Sequence, residues 1–489
     1  MAEAAMAKSI EIPDCCYPTE PVLVRPSSSK PRHTLYLSNL DDQKFLRFSI
    51  KYLYVYKRSV GVEALTTSLS KVLVEYHPFA GRLRPVGEDG EKCQVDCNGE
   101  GALLAEAYVD LTAEEFLQGC GRPNRSWRKL LYRVEAQSFL DVPPLVVQVS
   151  PLLLLRLLLC FDMLYCSITI IANLLSVCVC VQVTHLSCGG MILCTAINHC
   201  LSDAIGTAQF LHAWALLTAK PDANLPVNAF HDRCILKPRV PPEIAFSHPE
   251  FSSPPAQDSN LGDLFQFLLA QPLVPVSLTF TPSQILRLKK RSVPSIKCTS
   301  FEVLASHVWR AWIKSLDPPA SLRIKLLFSM NVRGRLKPEL PGGYYGNGFV
   351  LACAETSVEE LVTSNAHHGI KLVQEAKKSV TGEYVMSMID LLEERRVKPD
   401  LSSSLVISSW TKLGLEELDF GGGRPLHMGP LASEIYCLFL PVIGDLHAFT
   451  MIMSVPQEIE DRFQQYCRRG LDDDTEKGGI TEKGASGYS

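Results

Sequence analysis

Residues 183–215 read VTHLSCGGMILCTAINHCLSDAIGTAQFLHAWA, and this stretch decides the fold around it. Val183-Thr-His-Leu-Ser-Cys188 and Met191-Ile-Leu-Cys-Thr-Ala-Ile197 read as two strands joined by a hairpin turn at Gly189-Gly190. Beyond them Ile205, Ala208, Leu211 and Trp214 recur at the spacing of one helix face, with Asp203 placed to cap the first turn. His199 therefore falls at a strand end, in a strand-to-helix turn. A neutral imidazole accepts a proton from a hydroxyl near neutrality at little cost, so His199 is a candidate general base. Asp203 either orients this loop through a salt bridge or serves only as the cap. Taken alone, the His-x-x-x-Asp spacing is better read as a satisfied polar pair, and a second element changes that weighting.

Far downstream stands Leu418-Asp-Phe-Gly-Gly-Gly-Arg-Pro425, followed by His427-Met-Gly-Pro430. Together these segments resemble the two signatures of the plant BAHD acyl-CoA-dependent acyltransferases, His-x-x-x-Asp and Asp-Phe-Gly-Trp-Gly, in this order. Nearly the whole chain joins in the resemblance, through His77-Pro-Phe-Ala-Gly-Arg-Leu83, Ser300-Phe-Glu-Val-Leu-Ala305, Asn331-Val-Arg-Gly-Arg335, Tyr344-Tyr-Gly-Asn-Gly348 and Ser409-Trp-Thr-Lys412. Within the family the wording is most similar to enzymes that move a hydroxycinnamoyl group, typically feruloyl, onto ω-hydroxy fatty acids or fatty alcohols.

The resemblance implies an α/β fold of two similar-topology domains, each of mixed sheet and helices, with a solvent channel between them as in chloramphenicol acetyltransferase. It implies a sequential transfer in which His199 takes the proton of an acceptor hydroxyl and the oxygen attacks the thioester of an acyl-CoA. The acyl-CoA is a co-substrate, and neither cofactor nor metal is required. Asp419 is expected in a structural salt bridge. Gly421, Gly422 and Gly423 complete a mainly structural loop, in which the resemblance implies an oxyanion role for the indole N–H that the tryptophan of relatives supplies to polarise the thioester oxygen. There the chain departs from the family, because Gly422 stands in place of the tryptophan. Losing one oxyanion donor typically costs about 10²- to 10³-fold in turnover. CoA carries phosphates, so Lys289, Lys290 and Arg291 are candidates for its end of the channel, although such clusters are usually solvated helix faces. Arg333 and Arg335 are expected to brace loops near Asp203 or Asp419. Lys412, two residues after a tryptophan, either meets an acceptor carboxylate or faces water.

A second departure is the apolar run 151–181, PLLLLRLLLCFDMLYCSITIIANLLSVCVCV, which on hydropathy alone is long enough to span a bilayer. It would split one strand, since Leu145-Val-Val-Gln148 and Val183-Thr-His-Leu186 join into a single plausible strand of the hairpin. Val-Gln-Val occurs at both borders, and Gln148-Val-Ser150 can be encoded as a splice donor. Residues 149–182 are therefore read as a retained intron translated in frame.

With 489 residues the chain is long enough for two domains, and a net charge of −4 gives no hint of a nucleic-acid partner. The boundaries expected are 1–220, a proline-rich crossover at 221–260, a second domain at 261–467 and a polar, disordered tail at 468–489. The 17 cysteines are dispersed, as expected of reduced thiols in a cytoplasmic protein. The amino terminus lacks the pattern of a secretory signal. A monomer without obligatory membrane insertion is expected. Three readings stay open: an active hydroxycinnamoyl transferase acting on a fatty or, alternatively, a shikimate- or quinate-type acceptor; a non-catalytic relative that binds acyl-chain elongation machinery; and a protein anchored by residues 163–183.

Overall fold

The computed structural model describes residues 10–87, 91–132, 179–252, 268, 270–292 and 297–471. The first half runs β1 (Val22–Val24), β2 (His33–Tyr36), β3 (Ser49–Tyr56), α1 (Val62–Glu75), β4 (Arg82–Val86), β5 (Lys92–Cys97), β6 (Ala102–Val109), α2 (Ala113–Gly119), β7 (Val179–Leu186), β8 (Met191–Asn198) and α3 (Ala204–Ala219). The second half runs β9 (Leu273–Phe280), α4 (Pro282–Ser292), α5 (Ser300–Leu316), β10 (Arg323–Asn331), β11 (Phe349–Ser357), α6 (Val358–Thr363), α7 (Ala366–Ser379) and α8 (Gly382–Arg395). It ends with β12 (Ser404–Ser409), β13 (His427–Pro430), β14 (Cys437–Val442), β15 (Asp445–Pro456) and α9 (Glu460–Arg468).

These elements make two α/β domains, each on a mixed six-stranded sheet, with strand orders β1-β6-β7-β8-β3-β13 and β11-β10-β12-β14-β15-β9. One strand crosses between them: β13, from the second half, pairs antiparallel with β3 in the first sheet. A small third sheet, β2-β5-β4, flanks the first domain.

The hairpin forms where the sequence places it, with β7 antiparallel to β8 and His185 opposite Met191. The connection is four residues, Ser187–Gly190, rather than a two-residue turn, and Gly189 takes the positive φ of 81° that closes it. Every residue of β8 is buried, as a central strand between β7 and β3 requires. The first half of β7 is Val179–Gln182, the last four residues of the inferred insert. Gln182 is fully buried, and its amide donates to Thr184 Oγ1 at 2.9 Å while its carbonyl oxygen accepts from Tyr17 Oη at 3.2 Å. Leu145–Gln148 and most of the apolar run lie outside the described residues. Among the described residues no helix is long and apolar enough to cross a membrane.

Helix α3 departs from the one-sided pattern expected. It is buried around most of its circumference, including Gly206, Thr207, Phe210, Ala213 and Thr218 outside the apolar stripe. Trp214 Nε1 donates to Leu65 O at 3.1 Å, and the Thr218 and Ser68 hydroxyls bond at 2.7 Å, so α1 covers one side. The first turn meets the other domain: a Cβ on Gly206 would sit 1.8 Å from the backbone oxygen of Tyr345, so only glycine permits this approach.

The described part of the crossover, to residue 252, contains short 3₁₀ turns and an isolated β-bridge from Phe230 to Tyr344, and its later part lies against α8. Arg239 Nε bonds Asp390 at 2.6 Å, and the buried Glu250 accepts from Tyr384 Oη at 2.6 Å. At the other end the chain remains packed through Leu471, past the expected start of the tail, with Leu471 only 4% exposed. Residues 472–489 lie outside the described set.

Candidate active site

His199 sits in the turn that leaves β8, the first residue beyond the strand. Its amide donates to Phe48 O at 2.8 Å and its carbonyl accepts from Asn347 Nδ2 at 2.7 Å, so the backbone is pinned from both domains. Phe48 and Phe349 frame the imidazole at ring-centroid distances of 5.4 and 5.7 Å. Nδ1 is buried without a hydrogen-bond partner. Desolvation pushes the imidazole pKa below its ordinary value, partly offset by its own carbonyl and by Asp203. The ring is therefore neutral at physiological pH, the form a base needs.

Asp203 does both things considered for it, and neither is a bond to the imidazole. One carboxylate oxygen caps α3 by accepting from Gly206 N at 2.9 Å. The carboxylate also takes a two-pronged ion pair from Arg333, at 2.7 and 3.0 Å, and Gly348 N donates to it at 3.0 Å. With Asp203 7% and Arg333 15% exposed, this pair is a nearly buried clamp between the domains. A second clamp lies beside it. Asp41, fully buried, accepts from the backbone and side chain of Asn347 at 2.8 and 3.0 Å. The buried Arg233 stacks over Tyr345 at 4.4 Å and donates to Leu201 O at 3.0 Å. Asp41, Arg233 and Asn347 were not singled out from sequence; Asn347 alone lies in a motif that resembles the family's.

The glycine loop is elsewhere, which corrects the oxyanion role considered for Gly421, Gly422 and Gly423. Gly421 packs by Ala219, the last residue of α3, whereas His199 precedes the first. At about 1.5 Å per residue, α3 alone separates the two ends by about 24 Å. Strand β3 gives the same answer: Phe48 touches His199 at one end, while Arg58 and Val60, past the other, touch Gly422. No donor in the loop can reach an oxyanion beside His199 across that distance. Asp419 likewise has no ion pair among the described residues; it accepts from Gly421 N at 2.7 Å and Gly423 N at 2.9 Å, closing its own loop. Arg424 pairs with Glu417 at 2.5 Å instead. A Cβ on Gly422 would lie 2.9 Å from Arg58 O, so the loop as folded has no room for even an alanine without movement.

Lys289, Lys290 and Arg291 occupy the last turn of α4, where cations suit the helix dipole. Lys289 Nζ donates to Ser300 Oγ at 3.1 Å, and Arg291 lies against Gly470. Arg335 caps the end of α7 by donating to Lys377 O at 3.1 Å and to Val380 O, so it does not brace Asp419. Arg335 also lines a hollow of about 720 Å³ with Lys297, Lys377, Lys378, Glu302 and Gln374, in which Lys377 is ion-paired with Glu302. Lys412 is exposed, while the neighbouring Trp410 is buried and stacks on Tyr52 at 5.0 Å.

Comparison with known proteins places this geometry. The model of the Transferase family matches residues 19–152 and 174–462. Fatty alcohol:caffeoyl-CoA acyltransferase of Arabidopsis thaliana is 34% identical, over 91% of this chain and 96% of its own length. Omega-hydroxypalmitate O-feruloyl transferase of the same plant is 32% identical, over 91% of each. Among solved structures, vinorine synthase superposes with a TM-score of 0.64 at 18% identity, covering 91% of this chain and 95% of that one. TRI101 of F. sporotrichioides, complexed with coenzyme A and T-2, gives 0.66 at 16% identity, covering 88% and 97%. The chain belongs to the Transferase family, the BAHD group, and is an acyl-CoA-dependent acyltransferase.

Proposed function

We propose that this protein transfers a hydroxycinnamoyl group, feruloyl foremost, from CoA to the hydroxyl of an ω-hydroxy fatty acid or fatty alcohol. The observation that carries the mechanism is the desolvated His199 imidazole, held by its backbone from two domains within an aromatic frame. His199 takes the acceptor's hydroxyl proton while that oxygen bonds to the thioester carbonyl carbon. The tetrahedral oxyanion then collapses, the carbon–sulfur bond breaks, and the imidazolium returns its proton to the CoA thiolate. Asp203 acts as a positioning residue through Arg333, not as a partner of the ring. The cationic hollow at Lys297, Arg335, Lys377 and Lys378, with Lys289 beside it, is the proposed seat of CoA phosphate groups. The acceptor class follows the printed activities of the two Arabidopsis relatives. With Gly422 at the far end of α3, its departure from the family is no argument for the non-catalytic reading.

Residues 149–182 belong to this proposal as an insert dispensable for activity. The family match leaves out 153–173. A chain joining Gln148 to Val183 would put Gln148 in place of the buried Gln182 and Val147 in place of the buried Val181. The test is CoA-thiol release from feruloyl-CoA and an ω-hydroxy fatty acid by the full chain, the joined chain and the joined chain carrying His199→Ala. Release by the joined chain that vanishes in the alanine variant supports the reading. Silence from a folded joined chain refutes it for this donor and acceptor.

A further inference from the structure

Away from His199, the small sheet gathers a second set of reactive side chains. His33 on β2 and Cys97 on β5 are directly opposed in the antiparallel pair, which sets both side chains on one face. His77 reaches the same point from the 3₁₀ turn His77–Ala80 that follows α1. One ligand atom from each of the three lies within 4.8 Å of the others. We propose that His33, His77 and Cys97 bind one borderline-soft transition-metal ion, Zn²⁺ foremost, at a structural site independent of the acyl-transfer centre.

The geometry suits such an ion. The Nε2 atoms of His33 and His77 are 3.2 Å apart. Two nitrogens each about 2.05 Å from a tetrahedral zinc stand about 3.3 Å from one another. The other ring nitrogen of His33 bonds Pro31 O at 3.0 Å, which puts its proton on Nδ1 and turns a bare Nε2 lone pair toward His77. That outer bond to a backbone carbonyl is the usual way a ligating imidazole is oriented. Cys97 Sγ, enclosed by the sheet, makes a long contact to Val95 O at 3.9 Å and takes a backbone hydrogen bond from Leu35, which favours the thiolate form a metal needs. His33 is exposed, which leaves an entry path and a fourth position for water. The donor set of two imidazoles and one thiol selects Zn²⁺ or Co²⁺ over Mg²⁺ or Ca²⁺.

Binding displaces the thiol proton of Cys97: the sulfur–metal bond forms as one proton passes to solvent. Occupied, the site would tie β2, β5 and the end of α1 together.

The test titrates the chelator-stripped full chain with Co²⁺, then displaces it with Zn²⁺ against a chromophoric chelator. Expected is one tight ion per chain, with tetrahedral cobalt bands and a thiolate-to-cobalt charge-transfer band. Cys97→Ser should lose the charge-transfer band. His33→Ala, which alters an exposed side chain, should weaken binding about 100-fold while circular dichroism stays unchanged, and it covers the case in which Cys97→Ser does not fold. Bands and affinity unchanged in folded His33→Ala would place the metal on other thiols and overturn the site. Failure of the folded wild-type chain to bind either ion at micromolar concentration would do the same.

Discussion

The two ends of α3 carry the two sequence signatures, and they are built on different principles. At its amino end, His199 and Asp203 are held by groups from both domains, through Asn347, Arg333 and Gly348. At its carboxyl end, Asp419 closes its own glycine loop, and Phe420 buries its ring against Trp214 at 5.0 Å. The first end is long-range, polar and chemically poised; the second is local and packed. Motifs that identify one family need not share one site, and here about a full helix length divides chemistry from scaffold.

That contrast breaks most plainly by substitution. Replacing His199 with alanine should lower turnover by about 10²- to 10⁴-fold with little change in melting temperature, read as CoA-thiol release beside a thermal scan. Asp203→Asn should cost both: losing one member of a nearly buried ion pair destabilises by about 3–5 kcal/mol, and kcat should fall because the turn loses its anchor. Denaturant titration in parallel with kinetics separates the two effects, and an unperturbed Asp203→Asn enzyme would deny the clamp its role.

Protonation offers a subtler contrast. His427, in β13 beside the glycine loop, is held down to about 4 by burial, whereas the unfolded chain takes up that proton near 6.5. Its contribution to stability is therefore complete above pH 6.5 and is lost progressively as pH falls toward 4, by up to about 3 kcal/mol. His427→Gln should flatten that acid loss in denaturant titrations. At the other end the lowered His199 pKa acts on rate, so kcat/KM should stay level as pH drops through 6.5 and fall only below it. An acid limb at or above 6.5 would contradict a desolvated base. The smallest effect expected is at the hollow, where Lys297→Ala should raise KM for acyl-CoA by about two- to fivefold and leave kcat unchanged.

What could be read from sequence follows the range of the forces involved. The β7–β8 hairpin and the cap at Asp203 rest on neighbours within a few residues, and periodicity and turn chemistry reveal them. Arg333 lies 130 residues from Asp203, and only the family resemblance points to it as a brace for this region. The burial of α3 around most of its circumference depends on α1 and on Tyr345, neither of which leaves a mark in the helix's own spacing. The loop's remoteness from His199 depends on β13 joining β3, a pairing across domains that no local pattern encodes. The cluster at His33, His77 and Cys97 escaped for the same reason, since three elements supply one ligand each.

The most direct test of this division measures CoA-thiol release and melting temperature for His199→Ala and Gly422→Ala side by side. The added Cβ at Gly422 presses on Arg58 O, so that variant should melt lower by an amount worth about 1–3 kcal/mol yet turn over normally at temperatures where it is folded. His199→Ala should melt normally and turn over hardly at all. A folded Gly422→Ala enzyme with turnover as low as that of His199→Ala would contradict the account, because it would put the glycine loop back into the chemistry.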